Sequence, residues 1–262
     1  MGRGRCRVGG PVTEHERYLF DLQGFLAVPN ALDAAEVEAL NQVLDEQIEA
    51  LPDQDWASHR FLELLAWGAP YRDLIDHPTM LPYVVDMVGP HVRLDHTYLD
   101  IIRGGLSPIG ATLHGGRVPY DSAQYFEFAD GRFYNGLCVV AINLMDVNPG
   151  DGGFACVPGS HKSNLPFPAD WKDLEEAQPF VERVIGPAGT AVFFTEALTH
   201  GPLPWHGAAE RRTIFYKYSP RPLAWWMPYP DGEGVEGLTE AQRQILQPPT
   251  RDPRRMGKPT LS

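Results

Sequence analysis

The sequence predicts a mainly β chain, a jelly-roll double sheet carrying a layer of helices. Two observations lead there. From about residue 93 onward, short strand-like runs recur between Gly and Pro turns, and helical periodicity is gathered before that point. With 262 residues, 43% of them hydrophobic and 21% charged, the chain is long enough to bury a sizeable core. The expected organisation is one domain over 1–262, with a helical layer at about 13–90, a jelly-roll core at about 91–226 and an irregular tail.

The elements follow in order. "LFDLQGFLAVPNAL" reads as a helix end, a break at Gly24 and a short strand from Phe25 to Val28. In "LDAAEVEALNQVLDEQIEAL", Val37, Leu40, Leu44, Ile48 and Leu51 are spaced by three and four, which makes one helical stripe. Asp33 and Glu36 supply a capping-box start. Further helix is expected from Phe61 to Val88, interrupted around Gly68–Pro70 and at Pro78. The strands are then "VRLDHTYLDII", "AQYFEF", "GLCVVAINLMDV", "FACVPGSH", "GTAVFFTEAL" and "RRTIFYKYSP". The tail from Pro228 is rich in Pro, Gly and charge and reads as irregular. No internal repeat or low-complexity tract is present.

Charge and cysteines narrow the function classes. The net charge of −12 argues against binding a nucleic-acid polymer, which needs a basic surface to displace counterions. It leaves room for a small anionic substrate held by local cations. Cys6, Cys138 and Cys156 show no metal-finger spacing, and three cysteines fit no disulfide framework. They read as reduced thiols of a cytoplasmic protein, with Cys138 and Cys156 in the core. The basic start "MGRGRCRVGGP" is followed by no apolar stretch, and no run reaches membrane-spanning length. No membrane or partner protein is implied.

Nine histidines are present. His15, His59 and His77 lie in the helical half and read as surface or satisfied core positions, while His161 follows the tight turn of "PGSHKSN". His91 and His96 flank the first sheet strand and stay ambiguous. His114 and His200 differ in context: the first opens a Gly-rich turn, the second ends the strand "AVFFTEALTH". Two histidines at strand ends of a jelly roll can converge on one metal. Arg211, on the strand after His200, can then reach a carboxylate bound to that metal through its planar fork. Spacing alone leaves open whether the two histidines are related.

The segments "GFLAVPNALDAAEVEALN", "LHGG", "DVNPGDGGFACVPGSHKSN" and "THGPLPWHGAAERRTIFYKYSP" together resemble the phytanoyl-CoA dioxygenase-like iron(II)- and 2-oxoglutarate-dependent oxygenases, over roughly residues 16 to 226. The resemblance implies a double-stranded β-helix, cupin-like in shape. It implies iron held by a His-x-Asp pair and a distal His, with O2 and 2-oxoglutarate as cosubstrates. Carried over, His114 and His200 hold the metal and Arg211 holds 2-oxoglutarate, whereas Arg212 points to the opposite face of the strand.

The departure is at Gly116, where the carboxylate of the facial triad has no side chain. Three readings follow. Another acid, such as Asp121, Asp100 or Glu127, supplies the ligand, giving a hydroxylase. Or two histidines act alone, or the chain is a metal-free cupin-like binding module. Or chloride takes the position beside Gly116, as the resemblance to His-x-Gly halogenases of this superfamily implies. In that reading 2-oxoglutarate is decarboxylated to succinate, an unactivated C–H bond is cleaved and chlorine is returned to the carbon. Halogenation is the leading expectation.

The remaining candidates are substrate and cosubstrate contacts. Asn143 sits in an apolar run where its amide needs a partner, 2-oxoglutarate or backbone. Tyr98 and Asp100 share one strand face; Gln124, Tyr125, Arg132 and Tyr134 follow the near histidine, and Trp205 and His206 follow the distal one. Trp225 and Trp226 are expected to close the barrel end. A free-standing small molecule of secondary metabolism is the expected substrate, with a nucleotide such as deoxyadenosine monophosphate suggested by analogy. Arg117, Arg132, Lys162 and Lys217 would grip its phosphate.

Overall fold

The computed structural model describes residues 12–53, 55–104, 112–172 and 178–250. Cys6 and the basic start lie outside them, as does "RDPRRMGKPTLS". The core is a jelly roll of two facing antiparallel sheets with helices on one outer face. The strands are β1 (Phe25–Val28), β2 (Ser58–Leu62), β3 (Val92–Ile102), β4 (Phe126–Ala129), β5 (Arg132–Asn135), β6 (Cys138–Asn143), β7 (Gly153–Cys156), β8 (Glu182–Arg183), β9 (Ala191–Thr195), β10 (His200–Leu203) and β11 (Arg211–Pro220). The large sheet has the order β1-β9-β6-β11-β3-β2, and the small one β10-β7-β8. A two-stranded hairpin, β4-β5, stands apart. It turns through Asp130 and Gly131, both at positive φ (51° and 73°), the backbone that a tight Asp-Gly hairpin demands.

Strand alternation explains the apolar runs. On β6, Val139 and Ala141 face the space between the sheets, with Phe154, Cys156, Phe194 and Phe215. Cys138, Val140 and Ile142 face outward into the helical layer. A strand buried on both faces carries no polar alternation, which is why "GLCVVAIN" reads as continuous. Cys138 and Cys156 are free and buried, and burial pushes the Cys138 thiol up to about 12.

The helices are α1 (Glu14–Gln23), α2 (Ala34–Glu49), α3 (Ala69–Arg72), α4 (Leu81–Val88) and α5 (Glu240–Ile245). Thr13 and Glu16 form a capping box on α1, and Asp33 and Glu36 another on α2. The stripe Val37, Leu40, Leu44 and Ile48 is buried, while Leu51 lies beyond the helix end. Pro52 follows it, and the residue before a proline is disfavoured in helix. Gly24 ends α1 at φ +84°; a Cβ there would sit 2.6 Å from His161 Nδ1.

Two expectations need correction. The segment starting at Phe61 is not continuous helix: residues 58–62 form β2, the large sheet's edge, paired to β3. A short 3-10 turn, Leu64–Trp67, and two short helices follow. Pairing with a distant strand overrides the local helix-like spacing there. The tail is not wholly irregular either. α5 begins with a third capping box, Thr239 and Gln242, and Gln242 donates to Asp76 at 3.0 Å. Among the described residues, no helix is long and apolar enough to cross a membrane.

Candidate active site

His114 lies outside the named strands yet pairs with the first residue of β10. Its N–H donates to His200 O at 2.8 Å, and His200 N–H donates back at 2.9 Å. This bridge sets the imidazoles side by side and tilted, centroids 4.4 Å apart and planes 56° apart. Gly115 permits it: at φ +75°, a Cβ would lie 2.6 Å from Leu198 O and 2.9 Å from Glu196 O. The Gly-rich turn thus presses onto the turn before β10, closer than any side chain allows.

Both rings are oriented from behind. His114 Nδ1 lies 3.1 Å from Thr112 O, and His200 Nδ1 lies 2.7 Å from Leu198 O. A carbonyl only accepts, so each Nδ1 carries the proton and each Nε2 keeps its lone pair. Burial, reinforced by His114, lowers the His200 pKa to about 4. The ring is therefore neutral near pH 7, the form that binds a metal.

Both rings line a cavity of about 450 Å³ between the sheets, and Arg211 lines it too. Arg211 is buried, and its Nε has no hydrogen-bond partner. Two residues along β11, on the same face, the buried Thr213 Oγ1 also lacks one. Burial lowers the Arg211 pKa, and Asp100 offsets this only in part. A buried guanidinium with an orphaned N–H is costly unless an anion meets it. The pair of donors fits a carboxylate entering from the cavity. Arg212 points the other way, to Asp45 at 2.7 Å and Asn41 at 2.9 Å.

Two features were not singled out from sequence. Glu196, buried just after β9, is ion-paired to Lys217 of β11, and its Oε2 lies 4.0 Å from His200 Nε2. Burial would raise the Glu196 pKa, but Lys217 and His200 outweigh it and hold it at about 2. The second is His96 on β3, whose Nδ1 lies 2.7 Å from the buried Asp95. Asp95 also accepts from Arg93 and from the backbone N–H groups of Trp225 and Trp226. It thereby pins both tryptophans at the cavity, where His96 stacks on Trp226 at 5.2 Å. A signal for the first was present, a Glu inside "AVFFTEALTH"; Lys217, expected to grip a phosphate, is instead its partner.

Of the residues singled out from sequence, His114, His200, Arg211, Tyr98, Asp100, Gln124, Lys217, Trp225 and Trp226 line this cavity. Asp100 is held by Arg60 through two hydrogen bonds of 2.7 Å, and the Arg60 guanidinium lies 4.3 Å over the Tyr98 ring. Gly116, Arg117, Tyr125, Arg132, Asn143, Trp205 and His206 are not among its lining residues. A Cβ on Gly116, at φ +104°, would point to Thr199 Oγ1 at 3.0 Å. Asn143 is buried on β6 opposite Thr213. Trp205 packs with Ile102 and Val147, donating its Nε1 to Ala209 O at 2.6 Å, while His206 and Arg132 are exposed. Arg117 pairs with Glu127, and Asp121 caps its own turn at Ala123 N. His161 is core, against Phe126 at 4.5 Å.

A second cavity of about 550 Å³ shares Leu62, His96, Thr97 and Trp226 with the first. Glu63, Asp231 and Glu233 line it, so the approach on that side is acidic. Among the described residues, no three His, Cys, Asp or Glu side chains are already gathered as a metal cage.

The family model for phytanoyl-CoA dioxygenase (PhyH) matches residues 106–213, the stretch that holds both histidines and Arg211. No curated protein matches the chain by sequence. Among solved structures, the chain is similar to HygX from Streptomyces hygroscopicus with nickel and 2-oxoglutarate bound. The identity is 25% and the TM-score 0.75, over 86% of this chain and 94% of HygX. HygX with nickel, 2-oxoglutarate and hygromycin B bound superimposes with a TM-score of 0.73 at 25% identity, over the same shares of the two chains. The iron-bound form matches in fold, at 24% identity and a TM-score of 0.72, over 87% of this chain and 95% of HygX.

Proposed function

We propose that this chain is an iron(II)- and 2-oxoglutarate-dependent oxygenase acting on a C–H bond of a free-standing small molecule. One observation carries this. A single cavity holds two histidines whose Nδ1 atoms are taken by carbonyls, leaving the Nε2 lone pairs for a metal, and a buried arginine whose Nε has no acceptor. His114 and His200 would hold the iron, and Arg211 with Thr213 would receive the far carboxylate of 2-oxoglutarate. The likeness to HygX, solved with metal and 2-oxoglutarate, supports the same assignment. Iron with 2-oxoglutarate supplies oxygen activation and C–H cleavage when bound.

The residues of the chain do the positioning. Thr112 O and Leu198 O fix the two imidazole tautomers. Phe154, Phe194 and Phe215 wall the cavity and exclude water from the reacting region. His96, oriented by Asp95, offers its Nε2 toward the cavity to a substrate hydroxyl or ammonium group.

The substrate reading shifts away from a nucleotide. Lys162 is paired with Asp21, Arg117 with Glu127 and Lys217 with Glu196, and Arg132 lies outside the cavity lining. With an acidic second cavity adjoining the first, a neutral or amine-bearing polar molecule suits the chain better. That HygX has been solved with hygromycin B bound is in keeping with this.

Halogen transfer is the second reading, favoured by the absent side chain at Gly116. Against it, Gly116 does not line the cavity and its Cβ direction runs to Thr199. Succinate formation from 2-oxoglutarate, measured with and without chloride, tests both. Iron-dependent succinate that vanishes in Arg211→Met supports the oxygenase reading, and chloride-dependent, chlorinated product would move the finer assignment to halogenation. No iron-dependent turnover under any condition would contradict the proposal.

A further inference from the structure

We propose that Glu196 supplies the carboxylate ligand of the metal centre, in place of the side chain that Gly116 lacks. The inference rests on the oxygenase reading above, and it concerns which acid completes the ligand set. Among the described residues, two carboxylates line the cavity, those of Asp100 and Glu196. Asp100 has both oxygens held by Arg60 of the neighbouring strand at 2.7 Å. Glu196 uses one oxygen, Oε1, for Lys217 and leaves Oε2 toward His200 Nε2, 4.0 Å away.

That separation is close to what two neighbouring ligands of one ion need. With metal–ligand bonds of about 2.0–2.2 Å, neighbouring ligand atoms of a facial set lie roughly 3 Å apart, so Oε2 has to move by about 1 Å toward His200 Nε2 to join it. The backbone keeps Glu196 in place: its N–H donates to Leu137 O at 3.0 Å, and its carbonyl abuts Gly115, where any Cβ would meet it at 2.9 Å. The turn that bears Glu196 is thus packed against the turn that bears His114.

Lys217 explains how such an acid is kept in an apolar setting. A carboxylate this deeply buried needs a partner, and the ammonium group provides one while no cation is present. When a dication binds, Lys217 still occupies Oε1 and leaves Oε2 as a single-oxygen ligand. The resulting set is two histidines and one carboxylate, the ligand types of non-haem iron sites, with the carboxylate coming from the turn after β9 and not from the turn after His114. A halide would then have no need to complete the charge.

The test uses the full-length protein and cobalt(II) as the probe, followed by calorimetry and by the visible spectrum of the bound ion. Glu196→Gln should weaken cobalt binding by about a hundredfold or more, beyond the effect of losing an outer partner, and alter the spectrum. The double variant Glu196→Gln with Lys217→Met removes the unpaired ammonium and guards against misfolding; it should show the same loss. Lys217→Met alone should keep most of the affinity. If His114→Ala abolishes binding while the double variant binds cobalt like the wild type with an unchanged spectrum, Glu196 is not a ligand and the oxygenase reading stands. If His114→Ala and His200→Ala leave the affinity of the wild type unchanged, the metal site itself is misplaced and both readings fall.

Discussion

His114 and His200 are partners in a two-hydrogen-bond β-bridge, and this backbone pairing sets their rings 4.4 Å apart. The site is therefore built by main chain first and side chains second. Each ring then takes its tautomer from a carbonyl two residues upstream.

The bridge depends on the close approach at Gly115. Gly115→Ala places a methyl 2.6 Å from Leu198 O at φ +75°. It should cost roughly 1–3 kcal/mol of stability from backbone strain and weaken metal binding along with it. Urea denaturation and cobalt titration of the same variant check both.

Arg211 is a buried cation whose Nε has no partner, and the proposed function gives it one in 2-oxoglutarate. Arg211→Met should leave the unliganded fold as stable as the wild type or more so, by up to about 1–4 kcal/mol, because it removes a buried cation. The same change should weaken 2-oxoglutarate binding by about 2–5 kcal/mol. Thermal unfolding with and without 2-oxoglutarate separates the two effects.

His161 predicts an acid-side loss of stability. Burial lowers its pKa to about 4, below the unfolded value of about 6.5. The unfolded chain therefore binds the extra proton, so the contribution is full above pH 6.5 and is lost as pH falls toward 4. On the order of 3 kcal/mol is involved. Chemical denaturation between pH 4 and 7 should show a shallower slope in His161→Gln than in the wild type.

Gly116→Asp should not rebuild a facial triad. The site is at φ +104°, and the new Cβ would meet Thr199 Oγ1 at 3.0 Å. Reduced stability by roughly 1–3 kcal/mol, with cobalt affinity no higher than in the wild type, is expected. Denaturation and metal titration measure it.

Much of this was legible in the sequence, for identifiable reasons. β6 and β9 were readable because strands buried on both faces are written in near-continuous apolar runs, and β3 and β11 because β-branched and aromatic residues recur in them between Gly and Pro turns. The stripe of α2 was readable because its period is local. β2 was not, since "FLELLAW" has helix-like spacing and only pairing with β3 makes residues 58–62 a strand. Gly116 was legible as a departure, but not the direction in which its Cβ would point. Glu196 and Lys217 stand 21 positions apart, and His96 is meaningful only beside Asp95 and Trp226. Trp205 followed the distal histidine, as a substrate contact would, yet the chain folds it back onto Ile102 and Val147.

The central claim is that His114, His200 and Arg211 form one site for iron and 2-oxoglutarate. Anaerobic titration of 2-oxoglutarate into the iron(II)-loaded protein, followed by visible absorption, tests it most directly. The account predicts a charge-transfer band in the wild type, none in His200→Ala, and a band in Arg211→Met only at much higher 2-oxoglutarate. The absence of a band in the iron-loaded wild type, or an identical titration in Arg211→Met, would contradict it.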